Sequence, residues 1–376
     1  MGLNIMVNAS NLACGGGLQV GDSICRYLNR YPQHRFTVVL SWQMAATGEA
    51  IANYGNVKIL HYNTPNSLRN LLLGRDRFLD KVVEENKIDI VFSVFGMTKW
   101  KPGVPHLCGF AQSMLLQKES PYFSRMGMIE RLKSKVFVAE MKFLFNKSSD
   151  IFYTENPVIS RQLKQLFPKK EVHTITNFYH QVYDHPEEWD DIALPKFNGI
   201  TLLTIGAAYP HKNLGIYNGI ARMLKEKGEA FRIVLTIDES EFPKVEPDLR
   251  SNFIFLGRVA INQCPSLYKQ ADVMVQSTLL ECFTATYPEA MRMGVPIVTT
   301  DLDFAHGLCG DAALYYSPLS AADATQKILE VYHNAALRKK LVEAGHKQLG
   351  TFDNNEQRAD KVIKLLEEIY NRKHRK

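Results

Sequence analysis

The stretch DVMVQSTLLECFTATYPEAMRMGVPIVTT (residues 272–300) has the pattern of a strand, a loop, a helix and a second strand. Its two apolar runs are nearly continuous, which is typical of strands buried on both faces of a parallel sheet. The helical segment between them predicts a right-handed βαβ unit. Such a unit places the loop containing Glu281 at the carboxyl end of a strand, where ligands bind in open parallel sheets.

Short apolar runs alternate with longer amphipathic segments over most of the chain, as in the helical segment LGIYNGIARMLKEKG (214–228). This alternation predicts an α/β protein built from βαβ units. The runs predicted to be strands cover residues 4–9, 36–42, 57–62, 89–95, 106–111, 150–155, 172–177, 200–206, 232–237, 252–257, 272–277, 296–301 and 313–317.

The acidic stretch YDHPEEWDDIALPKFNG (183–199) interrupts the alternation, because it contains two prolines and has no hydrophobic period. We interpret it as the connection between two doubly wound domains. The segment NNEQRADKVIKLLEEIYNRK (354–373) predicts one long amphipathic helix. The predicted division is a Rossmann-like domain over residues 1–185, a linker over 186–198, a second Rossmann-like domain over 199–353 and a terminal helix over 354–376.

The composition narrows the class of protein. The 376 residues are 45% hydrophobic and 22% charged, with a net charge of +6, which suits an anionic partner. The positive charge is not gathered into an aromatic-lined basic stripe, so nucleic acid is not an expected partner. The six cysteines form no CxxC pair and are expected to be free thiols in a reducing, cytoplasmic compartment. No signal peptide and no apolar run of membrane-spanning length is recognised.

The first loop of chemical interest is ACGGGLQVGDSICRYL (13–28), which follows the first predicted strand. Glycines at this position, Gly16 and Gly17 among them, let a ligand approach the backbone, and the amino end of the next helix offers N–H groups to an anion. The spacing matches neither the dinucleotide fingerprint nor the P-loop. A ligand-facing role is favoured over a simple tight turn.

The second loop is GAAYPHKNLGIYNGI (206–220), in which Lys212 lies close to a predicted helix start. The helix dipole disfavours a cation there unless an anion is nearby. Lys212 is therefore either a solvent-exposed lysine or a point charge on a phosphate group. His211 is interpreted as a loop histidine rather than as a second donor.

The third loop contains Glu281, with Glu289 eight residues later in the predicted helix. Thr286 and Glu289 have the spacing of a capping box, so the carboxylate of Glu289 has a structural alternative to ligand binding. Glu281 has no such alternative. Two acids beside an anion site are consistent with carboxylates that accept hydrogen bonds from neutral hydroxyl groups.

The run LYKQADVMVQSTLLECFTATYPEAMRMGVPIVTT (267–300) resembles the E-x7-E region of retaining GT4-family glycosyltransferases of the GT-B fold. GAAYPHKNL (206–214) is similar to the G-x5-K-N loop of that family, and FLGRV (255–259) and DFAHGLCGDAALYYSP (303–318) fit its flanking pattern. The resemblance extends from about residue 199 to 350. It implies two facing Rossmann-like domains with parallel sheets, an acceptor-binding first and a donor-binding second, and a terminal helix that crosses back to the first domain.

The resemblance also implies roles for the matching residues. Lys212 would neutralise the donor diphosphate, Glu281 would contact sugar hydroxyls near the reacting carbon, and Glu289 would bind the nucleotide ribose. Lys212 and Glu281 are the predicted catalytic residues. The other donor-binding residues it implies are Gly16, Gly17, Gly206, Arg258, Val259, Phe283, Thr284, Ala285 and Thr286.

Three positions depart from the family pattern. Ala207 replaces the usual arginine of the lysine loop, so a phosphate contact is missing or comes from elsewhere, with Arg258 as a candidate. Cys282 and Thr284 replace common glycines, which narrows the sugar pocket. Gln112 is the best match to a histidine that positions the sugar in many relatives. Its amide can hydrogen-bond a hydroxyl on the acceptor or sugar side but cannot act as a base.

The function implied is the transfer of a hexose from a UDP- or GDP-sugar to a hydroxyl group, with retention of the anomeric configuration. The acceptor would be a glycan or a lipid-linked saccharide of cell-surface polysaccharide synthesis. No D-x-D motif occurs in a suitable loop, so Lys212 is expected to take the place of a metal ion, and no cofactor is predicted. The alternatives are a sugar-nucleotide epimerase of the same fold and a non-catalytic nucleotide-sugar-binding protein.

The segment IERLKSKVFVAEMKFLFNK (129–147) predicts a helix with Arg131, Lys135 and Lys142 on one face. Another face carries Phe137, Val138, Met141, Leu144 and Phe145. This helix is either a core helix with a basic solvated face or a membrane-surface helix that delivers a lipid-linked acceptor. The predicted location is therefore cytoplasmic, with peripheral association at the inner membrane surface as one alternative.

Overall fold

The computed structural model describes residues 2–13, 15–62, 75–96 and 99–374. The chain divides into two compact units. Unit 1 comprises Met1–Leu116, Gly127–Asn177 and Asp353–Lys376, and unit 2 comprises Gln117–Met126 and Phe178–Phe352. The assignment of acceptor and donor binding to separate domains stays a prediction.

Unit 1 is built on a parallel sheet. Its described strands are β1 (Asn4–Ala9), β2 (Arg35–Leu40), β3 (Val57–His61), β4 (Ile90–Ser93), β5 (His106–Gly109), β6 (Ile151–Thr154) and β7 (Glu171–Thr174). The strand order is β3-β2-β1-β4-β5-β6-β7, and every pairing is parallel. The order reverses between β1 and β4, which is the switch point of a doubly wound sheet.

Helices cover the sheet of unit 1, and several begin at residues that suit an N-cap. Asp76 accepts hydrogen bonds from the N–H groups of Phe78 and Leu79, and Asn156 accepts one from Val158. The described α-helices of this unit are Gly16–Cys25, Ala45–Ile51, Arg77–Glu85, Ser113–Leu116, Met128–Ser148, Pro157–Leu166 and Asn355–His374.

The final helix, Asn355–His374, belongs to the core of unit 1. Its apolar side chains Val362, Ile363 and Leu366 are buried in the same cluster as side chains from β1 and β4. Burial of this stripe explains why the amphipathic period of the segment predicted a helix.

Unit 2 repeats the same plan. Its strands are β8 (Ile200–Thr204), β9 (Phe231–Leu235), β10 (Phe253–Phe255), β11 (Val273–Gln276), β12 (Ile297–Thr300) and β13 (Ala313–Tyr316). The order is β10-β9-β8-β11-β12-β13, again parallel throughout. The α-helices are Pro121–Ser124, Ile216–Glu226, Cys264–Tyr268, Thr286–Met293, Asp303–Cys309, Ala321–His333 and Ala335–Leu349.

The two doubly wound parallel sheets confirm the predicted α/β fold class. Each of the predicted apolar runs contains a strand, and most strands end one or two residues before the run does. The predicted linker, residues 186–198, is hydrogen-bonded within unit 2. The N–H of Ile192 donates to Ser266 Oγ (3.0 Å) and that of Leu194 to Gln270 Oε1 (2.9 Å).

Candidate functional site in unit 2

The switch point of unit 2 brings two of the predicted loops together. β8 and β11 are neighbours in the sheet, and the order reverses between them. The loop with Lys212 follows β8 and the loop with Glu281 follows β11, so both leave the carboxyl edge of the sheet at the same place. This is where doubly wound sheets bind ligands.

Backbone geometry shapes the loop after β8. Gly206 has a φ of 146°, a conformation that residues with a side chain rarely adopt, and its N–H donates to Thr236 Oγ1 (3.0 Å). Pro210–Lys212 forms one 3-10 turn, and the helix Ile216–Glu226 follows. The glycine therefore lets the chain turn sharply at the carboxyl end of the strand.

A small pocket that opens to solvent lies under this loop. Its walls come from the carboxyl ends of β8, β9 and β11 and include Gly206, Lys212, Thr236 and Gln276. Two of the predicted donor-side residues, Gly206 and Lys212, thus line one pocket.

The ammonium group of Lys212 is ion-paired with the carboxylate of Glu281. Both side chains are largely shielded, at 15% and 13% exposure, and Thr278 Oγ1 also donates to Glu281 Oε1 (3.3 Å). Because the pair is shielded, its charges are screened less than those of a surface ion pair. An anion that binds Lys212 must therefore share this lysine with Glu281.

The two loops are joined by backbone contacts as well. The hydroxyl of Ser277 donates to the carbonyl of Lys212 (2.6 Å), and the N–H of Leu279 donates to the carbonyl of His211 (2.8 Å). The ring of His211 stacks on Tyr209, and desolvation of this half-buried ring lowers its pKa. The backbone of His211 is therefore held as part of the loop, and its interpretation as a loop histidine stays a prediction.

A segment that the sequence did not single out, Gln117–Met126, packs on these loops as part of unit 2. Gln117 Nε2 donates to the carbonyl of Glu281 (2.5 Å), and Gln117 Oε1 accepts from the N–H of Glu281 (3.4 Å). Ser120 Oγ donates to the carbonyl of Leu279 (2.6 Å), and the Arg125 guanidinium donates to Asn213 Oδ1. The segment thus holds the backbone on both sides of the Lys212–Glu281 pair.

Glu289 does not form the predicted capping box, and that expectation was wrong. The helix begins at Thr286 with Ala285 as its N-cap, and no side chain caps it. Thr286 is itself the first residue of the helix, and its Oγ1 accepts a hydrogen bond from Gln276 Nε2 (3.1 Å). The carboxylate of Glu289 accepts a hydrogen bond from the Tyr268 hydroxyl (3.1 Å), and burial raises its pKa to about 7.

The residues from Phe283 to Thr286 lead into this helix. Phe283 is half-buried with its ring edge-on to Phe352 (6.2 Å), and Thr284 is buried with its hydroxyl 3.0 Å from that of Thr286. Ala285 is half-buried at the N-cap. The amino end of the helix therefore lies directly after Glu281, as the sequence predicted.

The remaining predicted residues lie elsewhere. Arg258 is exposed and Val259 half-buried beyond β10, at the carboxyl edge of the same sheet but two strands from β8. Gly16 and Gly17 open the first helix of unit 1 after β1, and Gln112 follows β5, so all three belong to the carboxyl edge of the unit 1 sheet.

A buried acid that sequence reasoning missed lies at that same edge of unit 1. Glu155 follows β6, and its carboxylate is 4.0 Å from the guanidinium of the fully buried Arg358. Burial raises the pKa of Glu155 to about 7 and lowers that of Arg358. The signal in the sequence was only a charged residue at the end of an apolar run.

Comparison with known proteins agrees with this architecture. The sequence model of the family described as "Glycosyl transferases group 1" matches residues 199–334, which lie within unit 2. A curated relative, the O-antigen chain mannosyltransferase RfbU of Salmonella typhimurium (strain LT2), is 25% identical over 122 residues. That match spans 31% of this chain and only 34% of the relative.

Solved structures resemble the chain over nearly its whole length. A glycosyltransferase from Rickettsia africae has a TM-score of 0.69 at 15% identity, with 98% of each chain covered. Anabaena Alr3699/HepE in complex with UDP has a TM-score of 0.67 at 13% identity, covering 97% of this chain and 100% of that one. The fold is therefore the GT-B fold, and the resemblance of unit 2 to group 1 glycosyltransferases is confirmed.

Proposed function

We propose that the protein is a retaining glycosyltransferase that moves a hexose from a nucleotide-diphosphate sugar to an acceptor hydroxyl. The observation that carries the proposal is the shielded Lys212–Glu281 pair at the switch point of unit 2, beside a helix amino end. A cation and free N–H groups suit a diphosphate, and a carboxylate suits the hydroxyl groups of a sugar.

In the proposed reaction the bond between the anomeric carbon and the diphosphate oxygen breaks, and a bond from the acceptor oxygen to the same face of that carbon forms. The nucleoside diphosphate leaves with the bonding electron pair, and the proton of the acceptor hydroxyl is transferred to it or to solvent. Lys212 stabilises the negative charge that develops on the leaving phosphate. Loss of such a preorganised donor typically costs about 3 kcal/mol, roughly a hundredfold in rate.

Glu281 has two tasks in this proposal. It holds the ammonium group of Lys212 within the pocket, and it accepts hydrogen bonds from the sugar near the reacting carbon. Glu289 accepts from the ribose, and Arg258, Val259 and the amides of residues 283–286 complete the donor site. We further propose that Lys212 supplies the positive charge that a metal ion provides in other transferases, so that no cofactor is needed.

The donor and acceptor classes rest on similarity. The bound UDP of the Anabaena protein supports a nucleoside-diphosphate donor, with UDP- and GDP-sugars as the first candidates. The O-antigen relative supports an acceptor that is a glycan or lipid-linked saccharide of cell-surface polysaccharide synthesis. A lipid-linked acceptor would be met at the cytoplasmic face of a membrane. The roles that the resemblance implies for Gly16, Gly17 and Gln112 stay predictions.

Turnover of a panel of nucleotide sugars with saccharide acceptors tests the proposal. We expect release of nucleoside diphosphate only when an acceptor is present, and a product of the same anomeric configuration as the donor by NMR. Lys212→Ala should reduce turnover about a hundredfold. The control Lys225→Ala, which removes an exposed lysine paired with Asp248 in the same unit, should not. Conversion of the donor without an acceptor would instead indicate an epimerase, and binding without turnover would indicate a non-catalytic protein.

A further inference from the structure

The helix Met128–Ser148 of unit 1 has two opposite apolar faces. One face is buried: Met141, Leu144 and Phe145 point into the unit, and the ring of Phe145 packs against Phe110 (4.9 Å between centroids) and Phe152 (6.0 Å). This face attaches the helix to the sheet. It contains three of the five apolar residues that the sequence pattern places on one face of the helix.

The other face carries an exposed apolar stripe, which consists of Met128, Ile129, Leu132, Val136 and Phe143. The exposure of these side chains ranges from 62% for Phe143 to 87% for Met128. At 3.6 residues per turn all five fall within an arc of about 100°, opposite Met141. Aligned large apolar side chains are unusual on a solvated surface and mark an interaction site.

Basic side chains border the stripe on both sides. Lys135 and Lys142 lie along one edge and Lys133 along the other, and all three are exposed. The exposed Glu140, which is paired with Lys99 (3.4 Å), lies on the same edge as Lys133. The ammonium group of Lys147 lies over the ring of Phe143 (5.9 Å). The helix contains five basic and two acidic residues, so the field around the stripe is positive.

We propose that this exposed apolar stripe docks on the surface of an anionic lipid bilayer, with the helix lying in the plane of the interface. Apolar side chains would enter the acyl boundary while lysine stems reach back to the phosphate groups. None of the helices in the described part of the chain is long and apolar enough to cross a bilayer. The inference rests on unit 1 alone and does not depend on the proposed transferase activity.

Charge favours lipid over a second copy of this chain as the occupant. Two copies that met through the stripe would bring the lysine borders of both helices together in a partly desolvated interface. Like charges in that setting oppose association. An anionic bilayer supplies the opposite charge along the whole helix.

Co-sedimentation of the full chain with vesicles tests the proposal. We expect binding to equimolar phosphatidylglycerol and phosphatidylcholine at low salt, weaker binding at high salt, and little binding to phosphatidylcholine alone. The apolar variant Leu132→Ser/Val136→Ser/Phe143→Ser should lose binding while its unfolding temperature is unchanged, because these side chains are exposed. Each lysine near the surface contributes about fivefold in affinity, so Lys135→Ala/Lys142→Ala should weaken binding roughly 25-fold.

Two matched control variants test whether a loss of vesicle binding is specific to this surface. They remove exposed lysines or an exposed aromatic ring elsewhere on the protein. Lys339→Ala/Lys340→Ala removes the same charge from an exposed helix of unit 2, and Trp42→Ser removes an exposed aromatic ring from unit 1. Both should bind as the unmodified chain does. Absence of binding to anionic vesicles at low salt, or equal loss in the controls, would overturn the proposal. So would a dimer that the apolar variant dissociates, because the stripe would then be a self-association surface.

Discussion

The ammonium group of Lys212 and the carboxylate of Glu281, 69 residues apart in the chain, form a shielded ion pair at the switch point of the unit 2 sheet. Both residues carry the charges that the family resemblance assigns to donor binding. The pair means that neither charge acts alone: removing one leaves the other unpaired in a weakly screened site. Removal of the negative charge of Glu281 should therefore maintain or raise the affinity for an anion, whereas removal of the positive charge of Lys212 should lower it.

Glu281→Gln should separate catalysis from diphosphate binding. The amide keeps the shape and an acceptor oxygen but loses the charge that competes for Lys212. We expect the affinity for a nucleoside diphosphate to be unchanged or a few-fold higher, while kcat falls about a hundredfold. Isothermal titration and steady-state kinetics measure the two effects. A loss of diphosphate affinity as large as that of Lys212→Ala would contradict this account.

Gln117 should act as a positioning residue. Its amide is hydrogen-bonded to both backbone groups of Glu281, so Gln117→Ala frees the loop that carries the acid. We expect kcat to fall roughly tenfold with little change in the unfolding temperature. A small displacement of a group at the reacting atoms lowers the reaction rate strongly but hardly affects the stability of the fold. Ser124→Ala in the same segment is the control, because that hydroxyl contacts only the local carbonyl of Pro121 (2.7 Å) among the contacts observed. Equal effects of both variants would mean that the segment, and not Gln117, is responsible.

The raised pKa of Glu289 predicts how stability depends on pH. Burial raises the pKa of this carboxyl to about 7 from its ordinary value of about 4.5. Between these two pH values the folded state therefore holds a proton that the unfolded state has released. The contribution of Glu289 to the free energy of unfolding therefore falls as pH rises from about 4.5 to about 7, by about 3 kcal/mol at most.

Glu289→Gln should remove the part of the pH dependence of stability that comes from this carboxyl. Thermal unfolding at about pH 5 and about pH 8 should show a smaller loss of stability for the variant than for the unmodified chain. The exposed Glu343 offers a control, because Glu343→Gln changes the same charge on the surface of unit 2. An identical pH dependence in the unmodified chain and Glu289→Gln would show that the buried carboxyl is ionised throughout.

The fold could be predicted in detail because its strands are buried on both faces and therefore form continuous apolar runs. The β8 and β11 runs, each followed by a loop and a helix, were sufficient to locate Lys212 and Glu281 at one edge of a parallel sheet. Their pairing with each other could not be predicted, since it depends on strand order. The contact of Gln117 with Glu281 spans 164 residues and leaves no periodic signal.

Two other features of the structure could not be predicted from the local sequence pattern. The spacing of Thr286 and Glu289 indicated a capping box, but a buried hydroxyl of Tyr268 from another helix binds the carboxylate instead. The helix Met128–Ser148 was predicted with near-correct bounds. Helical periodicity alone did not reveal which of its apolar residues attach to the sheet and which face solvent.

We propose that Lys212 receives the terminal phosphate of the donor nucleotide, and the affinities of the protein for UDP and for UMP test this role. A charge-assisted contact to the second phosphate is worth about 1.5–3 kcal/mol, so the unmodified chain should bind UDP roughly tenfold to a hundredfold more tightly than UMP. GDP and GMP should be compared in the same way. In Lys212→Ala this preference should disappear, whereas Lys225→Ala should keep it. If Lys212→Ala retains the full preference for the diphosphate, the account of this site is wrong.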